Sequence, residues 1–300
     1  MTFARKDTDI ALSVVIPLYQ KARHVRAALE DAFRSCTQAR APFEIVVVDD
    51  GSTDGSGDVV RGWAAEAAAH AGALQLLTQE NRGAAAARNA GWRAARGPLI
   101  LFLDADDRWA DHHVTEILAL VRDFPGAALY ADAWAEIGAD GTPRQHLFGI
   151  RSDQRGPLTC FFEAMSSGPM IVSSSTAAAP KSALERSGGF PEGVRHGEDK
   201  VGWGRLALLG EVVWSPRVGA VWDRSADNRS DGATGPAPSP AFRDFLREAA
   251  LAGGIGERTR CNIRTAIAVE EARLSGEIRI YDHDTPNRYA DLAEPEPDPA

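Results

Sequence analysis

Residues 44–48 read Glu-Ile-Val-Val-Val, a run that shows no polar alternation after its first residue. A strand written this way has no solvent face. Both of its sides must be covered, which is the situation of a strand in a parallel sheet flanked by helices. The run stops at Asp49-Asp50-Gly51-Ser52, a turn, and Thr53-Asp54 can cap the alanine-rich helix that follows to about residue 71. The pattern recurs along the chain. Leu12–Leu18 reads as a buried strand holding Pro17, and residues 24–36 as a helix with Val25, Leu29, Ala32 and Phe33 on one face. Leu74–Thr78 is a short strand, 83–95 an alanine-rich helix, and 99–103 (LILFL) another fully apolar strand, closed by Asp104-Ala105-Asp106-Asp107. A helix over 112–123 and a strand over 127–133 complete the series. Four strand–helix units predict a doubly wound, mostly parallel α/β domain. Ligands in such domains sit beyond the carboxyl ends of the strands, so residues 17–19, 49–52 and 104–107 are expected in one crevice.

The second part is less regular. Residues 138–169 read as long loops with a short helix, 170–178 as a strand, 180–187 as a short helix, and Gly188-Gly189-Phe190-Pro191 as a tight turn. A helix over 199–209 and strands at 212–214 and 218–222 follow. The expected layout is a main domain over 1–230, in two halves at about 10–135 and about 136–230. A linker over 231–241 (DGATGPAPSPA) leads to a helical region over 242–293 and a disordered, Pro- and acid-rich tail at 294–300. The helical region is expected to pack as a separate layer, over the second half or against a second subunit in a homodimer.

Thirty-three basic against 42 acidic residues leave a net charge of −9, which argues against non-specific nucleic-acid binding. Three scattered cysteines with no CxxC spacing exclude a disulfide scaffold and a zinc-thiolate site, and fit a reducing compartment. The first residues lack the apolar length of a signal peptide, and no stretch approaches the ~18 apolar residues of a membrane span. The cytoplasm is the expected location, with peripheral membrane contact left open.

Four segments carry candidate chemistry. Asp104 and Asp106 stand at i and i+2 after a buried strand, so in extended geometry they share a face. Two like charges there need a counter-charge, which Mg²⁺ or Mn²⁺ with a diphosphate supplies; the alternative is a polar, helix-capping turn. Asp49 and Asp50 can cap a helix or accept a hydrogen bond from a base N–H. Arg88, one turn into a helix, can donate bidentately to a diphosphate or form a surface salt bridge; Arg82 reads as the more ordinary surface arginine. Glu198 and Asp199 open a helix, either as caps or as a general base beside an acceptor hydroxyl.

LSVVIPLYQKARHVRAALEDAF, EIVVVDDGSTDGSGDVV and NRGAAAARNAGWRAARGPLILFLDADD, in this order over residues 12–107, resemble the family 2 glycosyltransferases, which adopt the GT-A fold. SGGFPEG and GEDKVGWGRLALLG, over 187–210, resemble the acceptor-side half of the same family. The resemblance implies that Pro17 and Tyr19 line a nucleotide pocket, that Asp50 contacts the base, and that Arg88 lies near the diphosphate. It implies that Asp106 binds Mn²⁺ or Mg²⁺ most directly, with Asp104 toward the ribose or the metal, and that Asp199 is the base. Many relatives close the domain with an aromatic-Arg-His segment; here Asp223-Arg224-Ser225 stands there. The arginine-tryptophan motif of processive synthases is absent. The activity implied is metal-dependent transfer of one sugar, with inversion, from a nucleoside-diphosphate sugar, UDP being the commonest carrier. The acceptor hydroxyl would belong to a glycan, a lipid-linked glycan or a small molecule. The competing readings are a nucleotidyltransferase, whose glycine-rich loop is missing after the first strand, and a non-catalytic sugar-nucleotide-binding protein. An NAD-dependent oxidoreductase is discounted because GxGxxG is missing at the same point.

Overall fold

The structure, a computed structural model, describes residues 10–66, 70, 73–137, 143–145, 150, 153–167, 170–222 and 239–275. Strands β1 (Leu12–Leu18), β2 (Phe43–Asp49), β3 (Leu74–Thr78) and β4 (Leu99–Phe102) pair in parallel in the spatial order β3-β2-β1-β4. Helices α1 (Val25–Ala39), α2 (Ser56–Glu66) and α3 (Ala84–Ala94) connect them. Both faces are covered, as the uninterrupted apolar runs require. Val14, Ile16, Ile45 and Val47 pack with Leu29 of α1 and Trp63 of α2, while Val15, Val46 and Val48 pack with Ala87 and Trp92 of α3.

The sheet continues through β5 (Asp107–Trp109), β6 (Leu129–Ile137), β7 (Pro143–Gln145), β8 (Gly156–Pro157), β9 (Ala177–Pro180) and β10 (Val212–Trp222). Its full order is β3-β2-β1-β4-β9-β6-β10-β5, with β7 on β6 and β8 on β10. The doubly wound, mostly parallel expectation holds, with β5, β7, β8 and β9 running antiparallel to their neighbours. β9 inserts antiparallel to both β4 and β6, so the first four strands are joined to the rest through a strand from the second half of the chain. Helix α4 (His113–Asp123) covers one face; α5 (Phe161–Ser167), α6 (Lys181–Ser187) and α7 (Glu198–Leu209) cover the other.

Two local expectations are corrected. The strand read over 170–178 begins only at Ala177, because Ser174–Thr176 form a 3₁₀ turn in which Ser173 and Thr176 cap each other. Consecutive hydroxyl side chains compete with a ladder by bonding the local backbone. The two strands read at 212–214 and 218–222 are one strand, β10, whose register against β6 shifts between Ser215 and Val218. Pro216, without an N–H, lies at that break.

Helix α8 (Pro240–Leu251) starts inside the stretch read as linker, with Ser239 Oγ accepting from Phe242 N at 3.1 Å. It is followed by α9 (Glu257–Leu274). Phe242, Leu246 and Ala249 of α8 and Ile263 and Ala266 of α9 belong to the same apolar cluster as Trp203 and Leu206 of α7 and Val15 of β1. The last helices therefore share the core of the sheet's second face. Residues 231–238, the segment 223–225 and the tail 294–300 lie outside the described residues. Among the described residues no helix is long and apolar enough to cross a membrane.

Alanine and glycine in α3 let that helix ride close to the sheet. A Cβ on Gly91 would lie 2.4 Å from Val15 Cγ1 and 3.3 Å from Val48 Cγ2, both in the core. Gly91→Ala gains about 1 kcal/mol of helix propensity but forces overpacking that typically costs ~1–3 kcal/mol. We expect a net loss of stability in urea unfolding.

Candidate functional site

Beyond the carboxyl ends of β1, β2 and β4, the loops enclose a crevice of about 720 Å³. Pro17, Tyr19, Asp50, Arg88, Asp104, Asp106 and Asp199 all line it, so the seven residues singled out from the sequence come together.

The loop after β1 is shaped by Gln20, whose φ of 55° puts it in the left-handed region. Its side-chain oxygen accepts from Thr53 N and Asp54 N at 2.9 and 3.1 Å, and its own N–H donates to Ser52 Oγ at 3.1 Å. This stitches the ends of β1 and β2 together and leaves Tyr19 exposed on the rim. Asp50 is buried, with Oδ1 accepting from Gln79 Nε2 (2.7 Å) and Arg82 N (2.9 Å), and Oδ2 from Gly83 N (2.8 Å). Its carboxylate thus shapes the loop that leads into α3 as well as lining the crevice. The neighbouring Asp49 accepts from Ser52 N at 2.9 Å, the turn-capping geometry that the DDGS text suggested. Arg82 pairs with Glu192 on the surface at 2.6 Å.

The Asp-Ala-Asp-Asp turn is anchored by the 3₁₀ turn that precedes β9. Ser175 Oγ accepts from Asp104 N at 3.1 Å and donates to Asp107 Oδ2 at 2.5 Å, while Trp109 Nε1 donates to Ser175 O at 2.6 Å. Asp107 takes part in this anchor, and all three aspartates, Asp104, Asp106 and Asp107, line the crevice. Asp104 and Asp106 each meet a cation: Arg88 Nη2 lies 2.8 Å from Asp104 Oδ1, and Lys21 Nζ lies 2.8 Å from Asp106 Oδ2. Sequence reading overlooked Lys21, although its position just past the first strand's carboxyl end was the available signal.

Arg88 is the hub. It is buried, and its Nη1 reaches Glu198 Oε1 at 3.1 Å while the guanidinium stands 5.7 Å from the Phe190 ring centroid. Asn89, the next residue, is buried too. It donates to Phe190 O (2.8 Å) and accepts from Phe190 N (3.0 Å), which clamps the Gly-Gly-Phe-Pro turn to α3. Asp199, second in α7, accepts from Lys200 N at 2.7 Å with Oδ1 and lines the crevice. The helix is entered through Gly197 at φ 80°, and no side chain caps it.

Burial, with neighbouring carboxylates adding to it, shifts two of the crevice carboxyls. Burial, then the charge of Asp199, pushes the Glu198 carboxyl up to about 7, with Arg88 opposing the rise. Burial, with Asp106 and Asp199 close by, also raises Asp104, against the pull of Arg88. The Arg88 guanidinium is held charged more firmly than usual by Asp104, Glu198 and Asp199, which outweigh its burial.

Asp104 and Asp106, each paired with a basic side chain, share the crevice with Asp107, Glu198 and Asp199. Among the described residues no group of three or more His, Cys, Asp or Glu side chains forms a metal cluster. One or two carboxylates completed by substrate phosphates and water is the set that Mg²⁺ takes in nucleotide sites, so the residues present fit such an ion.

A model of glycosyl transferase family 2 matches residues 13–173, more than half of the chain. The chain belongs to that family. It is 38% identical over 107 residues to an uncharacterized glycosyltransferase of Nostoc sp. (alr2836), covering 36% of this chain and 31% of that one. It is 40% identical over 103 residues to the undecaprenyl-phosphate 4-deoxy-4-formamido-L-arabinose transferase of Aeromonas hydrophila, covering 33% and 30%. The matches thus span under a third of these relatives' own length. Among solved structures, residues 1–349 of S. aureus TarS in complex with UDP-GlcNAc superpose with a TM-score of 0.67 at 18% identity, over 89% of this chain and 73% of that one. The mannosyltransferase PcManGT of Pyrobaculum calidifontis, in complex with GDP-Man and Mn²⁺, gives a TM-score of 0.61 at 22% identity, over 91% and 76%. At these identities the likeness is one of fold.

The elevated Glu198 has a consequence for stability. In the unfolded chain a glutamate titrates near ~4.3. Its folded value, about 7, lies above that, so between these pH values the unfolded chain holds fewer protons and stability falls as pH rises. Glu198→Gln removes this contribution. We expect the fall in thermal midpoint between about pH 5 and 8 to be shallower in the variant. It does not vanish, because burial also pushes Asp132 up to about 6 and acts with the same sign. Parallel wild-type and variant curves would count against a buried, elevated Glu198.

Proposed function

We propose that the protein is an inverting, metal-dependent glycosyltransferase that moves one sugar from a nucleoside-diphosphate sugar, with UDP as the first carrier to test, to an acceptor hydroxyl. One observation carries the reading. Asp104 and Asp106, the Arg88 hub and Asp199 come from segments spread over residues 88–199, yet they line one crevice at the strand ends. Pro17 and Tyr19 form the wall on the β1 side, where a nucleoside would lie, and Asp50 shapes the adjoining loop.

In this mechanism Asp199 accepts the proton of the acceptor hydroxyl as its oxygen bonds to the anomeric carbon. The bond from that carbon to the diphosphate oxygen breaks on the opposite face, which inverts the configuration. Asp106 and Asp104 would hold Mn²⁺ or Mg²⁺, whose Lewis acidity offsets the charge gathering on the leaving diphosphate. Arg88 and Lys21 add fixed positive charge at the same end, worth most where water is excluded. Asp199 lies in the first turn of α7 and acts by its position, within the ~10²–10⁴-fold range of general base catalysis. The acceptor would be a glycan, a lipid-linked glycan or a small molecule that enters past residues 193–197.

The decisive experiment is a nucleotide-sugar panel read by thermal shift with and without Mn²⁺, followed by turnover of whichever donor stabilises the protein. Asp199→Asn should keep donor and metal affinity while cutting transfer by ~10²–10⁴-fold. Turnover near the wild-type rate would remove Asp199 from the role, and a loss confined to Glu198→Gln would move the base one residue earlier. Asp106→Ala should leave the fold intact and abolish the Mn²⁺ dependence of nucleotide affinity in calorimetric titrations. An unchanged Mn²⁺ response would rule out Asp106 as a ligand.

A further inference from the structure

The mechanism leaves one buried charge cluster unused, and it joins the proposed base to the end of the chain. Lys200, the residue after Asp199, is 5% exposed, and its Nζ lies 3.3 Å from Glu270 Oε1 on α9 and 5.5 Å from the Phe242 ring centroid on α8. Glu270 is fully buried. The same Oε1 also receives Arg273 Nη1 at 3.1 Å, and that nitrogen lies 3.4 Å from Ser166 O on α5. Two cations therefore converge on one carboxylate oxygen, more than fifty residues of sequence away from α7. An uncompensated charge at this depth would be costly, so the group is held only if its members keep their places.

At the entry to α7, the Arg88–Glu198 pair holds the first residue, and Lys200 ties the turn from the other side. Gly197 has no side chain with which to cap the helix, and its left-handed backbone is followed directly by Glu198 and Asp199. A further support comes from the same C-terminal unit: Ser239 Oγ donates to His196 O at 3.2 Å and fills the space that a Cβ on Gly197 would occupy. A general base that acts by position rather than by basicity is sensitive to displacement of a fraction of an ångström to one ångström.

We propose that Glu270 and Arg273 are positioning residues for the reaction. They pin Lys200, and through it the first turn of α7, so that Asp199 is held at the acceptor oxygen. This rests on the assignment of Asp199 as base. The last two helices thereby become part of the catalytic apparatus without touching substrate, and the Lys200–Glu270 pair is the joint between them and the crevice.

The test uses the full chain and a panel of UDP-, GDP- and dTDP-hexoses, with nucleotide release in Mn²⁺ as the rate and calorimetry as the affinity. In Glu270→Gln we expect the donor Kd to stay within about twofold while kcat falls about tenfold or more, the order of loss a misplaced group produces. Glu270→Asp, which keeps the charge, should recover part of that kcat. A lowered thermal midpoint with kcat unchanged would reduce the cluster to a structural tie and overturn the proposal, as would a loss of donor affinity (a raised Kd) matching the loss of kcat. If Glu270→Gln does not fold, Lys200→Arg keeps the charge but changes the reach, and the same split is expected of it. Asp199→Asn, run in parallel, separates the two readings. Wild-type turnover in Asp199→Asn removes the base itself, whereas a dead Asp199→Asn beside a fully active Glu270→Gln removes only the positioning role. A wild-type chain that turns over none of the sugars overturns both.

Discussion

The crevice depends on one buried guanidinium. Arg88 reaches Asp104, from the donor-side turn, and Glu198, 110 residues later at the head of α7, while its flat face lies near Phe190. Removing one partner from a buried ion pair leaves an uncompensated charge and typically costs ~3–5 kcal/mol. The two halves of the chain are therefore joined electrostatically at the spot where the proposed chemistry takes place. Arg88 gets there because α3 is built of alanine and glycine and sits close to the sheet. Asn89, its neighbour, then binds the backbone of Phe190 on both sides.

Much of this was legible in the sequence, for identifiable reasons. A parallel sheet covered on both faces writes itself as long apolar runs, so Leu12–Leu18 and Phe43–Asp49 stand out with nearly correct bounds. Strand ends in such a sheet converge, so the residues after them could be gathered into one crevice before any coordinates. The second half was harder. β9 is four residues long and mostly alanine, and it follows a run of hydroxyl residues whose local bonding makes a turn. β10 contains a proline at its irregular point, which splits one strand into two in the text.

At the candidate site, residue types were readable but their partners were not. Nothing in PLYQKAR says that Lys21 will meet Asp106, nor does GEDK announce that Lys200 will be buried against Glu270. Ion pairs between distant segments leave no periodic trace. Asp50 illustrates the same limit: a double aspartate at a strand end can be read as a ligand-facing pair, and its three hydrogen bonds to residues 79–83 become visible only in three dimensions. The C-terminal helices looked detachable because glycine and proline precede them, yet Phe242 and Leu246 are completely buried in the common core.

The antiparallel insertion of β9 bears on how the chain must assemble. β1 to β4 form a local, sequential unit that can pair as it leaves the ribosome, but the outer edge of β4 (LILF) is covered only by residues 177–180. Until some eighty further residues have been synthesised, an apolar strand edge stands open, the kind of surface on which chains add to one another. β6 meets the same strand, and β10 must then cross to lie parallel to β6. Maturation is thus gated by late, non-local contacts, and this is the regime of slow folding. Fragments that end within the first half would carry the nucleotide-side loops on a sheet with an unfinished edge.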